Sequence, residues 1–322
     1  MRTGRRPWNH WGLVSQAPYR AAQKSFNNTL WYVCVVGTLL AELADDKTTR
    51  VEAVTSLGDE MFVLRQESRH VDVYDADSLR RTRRVLIAGL QEGTDMTSCT
   101  RHQCVYIADY EGKVIFRLTA DNQLSKWTVS DGPSGVSVTS THNLLVTCSD
   151  TRRLKEFTSD GRLVREIVLE RNLTSHVWHS VQLSSGLFAV SYGGSKDDIH
   201  KVCTVNSLGQ IAACYGGTKG SKIGQVEQPV HLAKTEDSVL VACLTTSRVI
   251  QLSMTMDYVG TILTQHDGLK GPFTMHFDEE TDWLYVADNS WSYLSERWIS
   301  GNVKVFRLNL EQTNIASSTV TQ

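Results

Sequence analysis

The chain has 322 residues and a mass of 36.0 kDa, a length that one large domain or two modest domains would fill. Its 33 lysines and arginines nearly balance 35 aspartates and glutamates, so the overall charge gives no reason to bind nucleic acid or an anionic membrane. With 41% hydrophobic and 21% charged residues, the chain can bury a core, which excludes disorder of the whole chain.

The first part of the chain is basic, with five lysines and arginines and no acidic residue before residue 30. We expect residues 1–29 to be a disordered amino-terminal segment. The apolar run at residues 30–40 is about half the ~20 residues that span a bilayer, so no membrane contact is expected. The basic flank is too long for a signal sequence and no small-residue cleavage motif follows it, which favours a cytoplasmic protein over the alternative of secretion.

Seven cysteines are spread along the chain without a CxxC pair or zinc-ribbon spacing. An odd number with such spacing predicts free thiols rather than a disulfide scaffold, and therefore a reducing compartment. Cys99 and Cys104 flank a predicted hairpin turn and are the pair considered for a bridge across it.

One apolar strand phrase recurs about every 40 to 45 residues between residues 51 and 310. Its six copies are residues 61–64, 105–109, 144–150, 187–191, 239–243 and 284–288. Their β-branched and aromatic residues favour strands. A strand repeat of this length is typical of propeller blades rather than of helical solenoids.

Each copy is followed by an alternating second phrase, at residues 71–74, 114–118, 154–157, 202–205, 249–252 and 303–308. Turn signals such as Asp160-Gly161 lead from several of these into a further strand. Each unit is therefore predicted to be a four-stranded antiparallel meander with apolar residues on both faces. Because six such sheets bury one another only around an axis, we predict an all-β, six-bladed β-propeller over residues 30–310, followed by a tail at residues 311–322.

An amino-terminal strand is expected to close the ring. Gly37, Leu39 and Glu42 align with a glycine, a leucine and a glutamate at the end of the third unit. Pairing this strand with the last blade would leave no sheet edge open. However, residues 303–308 already supply the penultimate strand of that blade, so the sequence shows no vacancy for residues 30–36.

The units resemble NHL repeats. The best copy is residues 227–252, EQPVHLAKTEDSVLVACLTTSRVIQL, where Arg248 and Gln251 fall on the arginine and glutamine positions of the family. A second is residues 271–291, GPFTMHFDEETDWLYVADNSW. The resemblance covers about residues 50–310. It departs from the family pattern at Cys148, Ser191 and Cys243, which replace an aspartate.

The NHL propeller is similar to the carboxy-terminal module of tripartite-motif ubiquitin ligases, which recruits proteins or RNA. The resemblance therefore implies a non-enzymatic interaction scaffold. No RING, B-box or coiled-coil pattern occurs in this sequence, so no ligase activity is implied.

Loops after the second strand of each blade gather on one face of a propeller, where ligands usually bind. Their basic residues form the first group of candidate contacts: Arg69, Lys113, Arg152, Arg153, Lys196 and Arg248. They predict a positive ring that attracts an acidic peptide or, as an alternative, single-stranded RNA. The competing interpretation is that these side chains solvate the loops or fill a structural position of the repeat. Acidic residues in the same loops weaken the RNA alternative.

The longest insertion, residues 289–302, carries Trp291, Tyr293 and Trp298 in a polar context. Exposed aromatic side chains are typical anchors for a partner, although these could instead fold back over the blade. We therefore expect a monomeric propeller that binds a protein or peptide ligand.

Three histidines give the one hint of chemistry. His179, His231 and His276 fall in the predicted innermost strands of blades four, five and six. Converging on the channel, they would predict a zinc-assisted lyase or hydrolase. The alternative is that each histidine bonds to the neighbouring blade, with no cofactor. No sequence motif of a hydrolase nucleophile, zinc protease or phosphate loop occurs, so an interaction module is favoured over an enzyme.

Overall fold

A computed structural model describes residues 22–26, 29–43, 49–170, 176–194, 196–197, 199–292 and 297–314. Within these ranges the regular elements are strands, apart from one short 3-10 helix at Gln265–Asp267. None of the helical structure in the described part is long and apolar enough to cross a bilayer.

The strands of the first half follow in chain order. They are β1 (Ala22–Phe26), β2 (Thr29–Glu42), β3 (Val51–Leu57), β4 (Glu60–Arg65), β5 (His70–Asp75), β6 (Arg81–Leu86), β7 (Gly93–Cys99), β8 (Cys104–Asp109), β9 (Val114–Thr119), β10 (Leu124–Thr128), β11 (Gly135–Val138), β12 (Leu144–Cys148), β13 (Arg153–Phe157) and β14 (Leu163–Val168). Strands β3–β6, β7–β10 and β11–β14 form blades one, two and three.

The second half continues the pattern. Its strands are β15 (Val177–Gln182), β16 (Phe188–Tyr192), β17 (Lys201–Val205), β18 (Ile211–Gly216), β19 (Pro229–Lys234), β20 (Ser238–Cys243), β21 (Arg248–Ser253), β22 (Tyr258–Leu263), β23 (Pro272–Asp278), β24 (Trp283–Ser292) and β25 (Arg297–Asn314). Strands β15–β18 form blade four, β19–β22 form blade five, and β23–β25 belong to blade six.

The predicted six-bladed β-propeller is confirmed. Each blade is an antiparallel meander, and each of the six recurring phrases lies in the second strand of its blade. These strands are apolar on both faces because both faces are covered. Leu64 of blade one packs with Ile107 and Phe116 of blade two, and Leu240 of blade five packs with Leu284 and Phe306 of blade six.

The amino-terminal strand closes the ring, as predicted. Strand β2 pairs antiparallel with β25, from Trp31 opposite Asn314 to Glu42 opposite Lys304. The expectation that residues 30–36 have no vacancy is wrong, because the outermost position of blade six is free for β2 beside β25. Without β2, the outer edge of β25 would leave its backbone groups unpaired. Gly37 permits the approach to blade five, since a Cβ there would lie 2.4 Å from Cδ2 of Leu263.

The sheet of blade six extends past the expected domain boundaries. Strand β1 adds a fifth strand by pairing with β2, so it lies inside the segment 1–29 that we expected to be disordered. Strand β25 runs to Asn314, four residues into the expected tail. The antiparallel pairing continues the backbone hydrogen bonds past both boundaries. Residues 1–21, 27–28 and 315–322 lie outside the described residues.

The prediction that the cysteines are free thiols is wrong for one pair. A disulfide joins Cys203 to Cys214, which lie directly opposite each other on β17 and β18. Cys99 and Cys104, the pair considered from the sequence, are buried free thiols. The expectation of a reducing compartment depended on the lack of a disulfide and loses that support.

Candidate functional site

A cavity of about 1130 Å³ opens at the axis of the propeller, on the face that carries the turns between second and third strands. All six blades contribute to its lining. Its aromatic side chains are Tyr110, Trp178, Phe273 and Trp291 with three histidines, His176, His179 and His231. Its charged side chains are Arg50, Glu52, Glu92, Asp95 and Lys270. A concave site of this size, with aromatic walls and a few polar groups, is typical of a ligand pocket.

The cavity is built by irregularities in the innermost strands. Five of the six innermost strands have a β-bulge at the end that faces the cavity, where their register with the second strand changes. They are β3, β7, β15, β19 and β23. The residues inside these bulges all line the cavity: Glu52, Thr94, Trp178, His179, Val230, Phe273 and Thr274. A bulge turns a side chain out of the alternating pattern of the strand. Strand β11 pairs with β12 without a shift, and blade three contributes only Ser134 to the lining.

A carboxylate and two imidazoles form the buried floor of the cavity. Oδ2 of Asp95 lies 3.3 Å from Nε2 of His179, and Oδ1 lies 3.5 Å from Nε2 of His231. The backbone amides of Val136 and Met96 each donate to the carboxylate at 2.8 Å. Groups from blades two, three, four and five therefore meet at one side chain.

The charge states of the floor follow from its burial. Burial alone would raise the pKa of Asp95, but the neighbouring imidazoles of His231 and His179 hold that pKa below its usual range. Burial lowers the pKa of His231 to about 4, and the neighbouring His179 ring acts in the same direction. At neutral pH the floor therefore carries an ionised Asp95 and a neutral His231.

Hydrogen bonds assign the ring protons of both histidines. Nε2 of His179 faces two acceptors, the carbonyl of Val136 at 3.1 Å and Asp95, so in the neutral ring Nε2 carries the proton and Nδ1 is an acceptor. Nδ1 of His231 accepts from the amide of Met275 at 3.3 Å, so Nε2 of His231 carries the proton.

This arrangement does not suit the zinc ion considered from the sequence. The rings of His179 and His231 are stacked, with centroids 3.8 Å apart and planes inclined by 25°. A zinc ion lies near the plane of each imidazole that binds it, about 2.0–2.1 Å from the nitrogen. Two nearly parallel, stacked rings share no such point. The group Asp95, His179 and His231 has the composition of a metal site, but its geometry is that of a hydrogen-bonded cluster.

His276 does not join the other two histidines. Its Nδ1 lies 3.3 Å from Oγ1 of Thr55 in blade one. The third member of the cluster is Asp95, which sequence reasoning missed. A carboxylate within the predicted innermost strand of blade two was the signal available for it.

Blade three accommodates the cluster through Gly135. A Cβ at this position would lie 2.8 Å from Cδ2 of His179 and 3.0 Å from the carbonyl oxygen of Trp178. We expect Gly135→Ala to lower the free energy of unfolding by about 1–3 kcal/mol, as overpacking of a dense core does, measured by urea denaturation.

A double-mutant cycle with His179→Ala tests the cause of that loss. In the His179→Ala background, Gly135→Ala should cost less, because the ring that the new methyl group meets is gone. An equal cost in both backgrounds would show that Gly135 does not act through His179.

A second acidic group lies at the wall. Glu52 binds Arg50 through both carboxylate oxygens, at 2.5 and 2.7 Å from Nη2, and the guanidinium of Arg50 lies 4.8 Å from the centre of the Phe273 ring. Burial raises the pKa of Glu52, and Arg50 opposes that rise. The positive charge of Arg50 is therefore already compensated within the wall.

The basic residues expected to form a ring do not line the cavity. Arg248 is buried and donates to the carbonyls of Ser221, Gly220 and Gln225 at 2.6, 3.1 and 2.8 Å, so it holds the loop before blade five. Arg153 pairs with Glu166 at 3.2 Å. Arg152 is half-buried, and Arg69, Lys113 and Lys196 are exposed. The structure thus disperses these residues over the loop face.

One expected aromatic contact does line the cavity. Trp291 is 41% exposed and stands at the cavity wall. Trp298 lies opposite it in the pairing of β24 with β25, but the side chain of Trp298 and the whole of Tyr293 lie outside the described residues.

Comparisons with known proteins support the fold alone. No family model and no curated protein matches the chain. Aldose sugar dehydrogenase from Streptomyces coelicolor, in its PQQ-bound form, matches with a TM-score of 0.61 and 13% identity over 85% of this chain and 98% of that chain. Hydrazine synthase of Kuenenia stuttgartiensis matches with a TM-score of 0.58 and 13% identity over 83% and 97%.

A catalytically inactive histidine-to-alanine variant of virginiamycin B lyase from Staphylococcus aureus, with quinupristin, matches with a TM-score of 0.55 and 11% identity over 87% and 100%. These structures support a β-propeller fold for this chain, and the likeness to NHL repeats stays a prediction. The structures of similar fold include a lyase and a dehydrogenase, so this fold is one that enzymes use.

Proposed function

We propose that the protein is a binding module that takes a side chain of a peptide or protein ligand into the axial cavity. The observation that carries the proposal is the set of bulges, which open an aromatic-lined cavity on the loop face. Trp291 at the cavity wall supplies the kind of exposed aromatic surface that dominates binding energy in protein interfaces. Trp178 and Phe273 extend this surface inward.

The charges at the cavity favour a peptide over RNA. Its lining contains two cationic side chains, Arg50 and Lys270, and three carboxylates. Since Arg50 is bound to Glu52, Lys270 alone remains to attract a phosphate backbone. Single-stranded RNA binding needs a groove with several unpaired cationic side chains. The dispersed basic residues of the loop face contribute to long-range attraction of an acidic partner rather than to direct contact in the cavity.

An enzyme is the second candidate, and one observation favours it. In the neutral ring, Nδ1 of His179 is an acceptor held in place by the bonds of Nε2 to Val136 and Asp95. A base oriented by a carboxylate is the arrangement that activates a nucleophile. A lyase or hydrolase of this kind would use His179 as a general base without zinc.

A random peptide library displayed on phage tests the binding proposal. We expect the protein to enrich peptides that share a motif, and Trp291→Ala to weaken their binding at least tenfold, because the variant removes an anchor of the cavity wall. Affinities are measured by fluorescence polarisation of synthetic peptides.

Leu208→Ala is the control, since Leu208 is an exposed apolar residue that does not line the cavity. It should leave the affinities unchanged. Failure to enrich a motif, or peptides that bind equally well to the Trp291→Ala protein, would refute the choice of cavity. Mass spectrometry of bound peptides separates the two candidates, because cleavage that is lost in His179→Gln would establish the enzyme.

A further inference from the structure

Among the described residues that line the cavity, three carry a buried polar atom without a hydrogen-bond partner. The atoms are Nδ1 of His179, Nε2 of His231 and Oγ1 of Thr274. The side chains belong to residues that are 2%, 6% and 4% exposed and that line the cavity together. Buried polar groups in proteins are nearly all hydrogen-bonded, so three unpartnered atoms at one cavity floor indicate a place for a polar group of a ligand.

The three atoms form a mixed set of donors and acceptors. Nε2 of His231 carries a proton because Nδ1 accepts from Met275. Oδ1 of Asp95 lies 3.5 Å from this nitrogen, and the two atoms do not form a hydrogen bond. Nδ1 of His179 is an acceptor in the neutral ring. The hydroxyl of Thr274 donates or accepts.

We infer that the floor of the cavity recognises a neutral carboxamide, the side-chain group of asparagine and glutamine. This inference rests on the proposed peptide-binding function and specifies its ligand. The oxygen of a carboxamide accepts from Nε2 of His231, and its amino group donates to Nδ1 of His179. The two bonds use two different atoms of the ligand, one for each of the stacked rings. Thr274 completes either end of the group.

Charged groups do not fit the same floor. A carboxylate accepts but cannot donate to Nδ1 of His179, and it would lie beside the ionised Asp95. An ammonium group cannot accept from Nε2 of His231, which would leave that buried donor unpaired. These three atoms therefore favour a carboxamide over a carboxylate or an ammonium group by the arrangement of hydrogen-bond donors and acceptors and by charge, and not by size alone.

Small probes test the inference independently of any peptide library. Binding of N-acetylglutamine methylamide is compared with that of the N-acetylglutamate and N-acetylserine methylamides by saturation-transfer NMR and isothermal titration. We expect the glutamine probe to bind at least tenfold more tightly than either of the others. Equal binding of the glutamate or serine probe, or no binding of the glutamine probe, would overturn the inference.

Two threonines of the cavity provide a matched pair of variants. Thr274→Val removes an unpartnered hydroxyl and should weaken the glutamine probe about tenfold, while leaving the glutamate probe unchanged. Thr245→Val removes a hydroxyl that already donates to Gln228 at 2.6 Å and should have no effect on probe binding. Equal effects of the two variants would contradict the role of Thr274, and circular dichroism checks that both variants fold.

The outcomes of the two proposals can be separated. If phage display yields peptides that depend on Trp291 but tolerate glutamate in place of glutamine or asparagine, the binding function holds and the carboxamide inference fails. If the glutamine probe binds but no peptide does, the floor is assigned correctly and the ligand is not a peptide.

Discussion

Asp95→Ala is expected to lower the free energy of unfolding by about 3–5 kcal/mol, the range found when one partner of a buried charged network is removed. The amides of Val136 and Met96 and Nε2 of His179 would all lose an acceptor. Each unpaired buried donor is costly because it cannot recover a bond with water. The loss should be large since Asp95 connects the innermost strands of neighbouring blades.

Urea denaturation followed by tryptophan fluorescence measures this effect. Asp121→Ala is the matched control, because Asp121 is an exposed aspartate of the same blade, and it should leave the unfolding curve in place. Asp95→Asn should fall between the two, since its amide retains one acceptor but opposes the donors with its own protons. A loss below about 1 kcal/mol for Asp95→Ala would show that the cluster does not hold the blades together.

Stability should also fall as the pH is lowered from about 6.5 towards 4. Burial lowers the pKa of His231 from its usual value of 6.5 to about 4. In that interval the unfolded chain binds a proton at this histidine and the folded chain does not, so acid favours unfolding. The full loss from His231 is about 3 kcal/mol, from about 1.4 kcal/mol for each pKa unit. Asp95 stays ionised throughout, so its own titration does not change the sign.

His276 acts in the same direction. Burial lowers its pKa to about 4 as well, but its side chain is partly exposed, so its share is smaller.

Urea midpoints at several pH values between about 4 and 7.5 measure the pH dependence. His231→Gln should flatten the curve, because glutamine does not titrate, although it lowers stability at neutral pH. His266→Gln is the control, since His266 is exposed on the short 3-10 helix, and it should leave the slope unchanged. A midpoint that rises on acidification would contradict a neutral, buried His231.

The architecture could be predicted because it is a repeated pattern. The second strands are apolar on both faces, so phrases such as those at 105–109 and 284–288 recur at blade spacing. The closing role of β2 could be predicted from its likeness to the last strand of the third unit. Its place beside β25 was harder to predict, since β25 lies about 270 residues further along the chain.

The site could be predicted only in part. His179 and His231 were identified by their innermost strands, but the direction of a side chain depends on register. A single bulge reverses that direction, and the sequence around Glu52 or Thr274 gives no sign that a bulge occurs there. His276, with the same predicted placement, turns towards blade one. Trp291 was recognisable because an aromatic residue in a polar insertion has few structural uses.

The joining of β2 to β25 has a consequence for biosynthesis. The ribosome synthesises β2 before any of the six blades and β25 after nearly all of them. The pairing of β2 with β25 therefore cannot form until the rest of the ring has been made. During translation, the edge of β2 that will pair with β25 stays without a partner while the blades form. Nascent chains arrested before residue 297 should therefore lack the pairing of β2 with β25, and the ring of blades closes only after β25 has been synthesised.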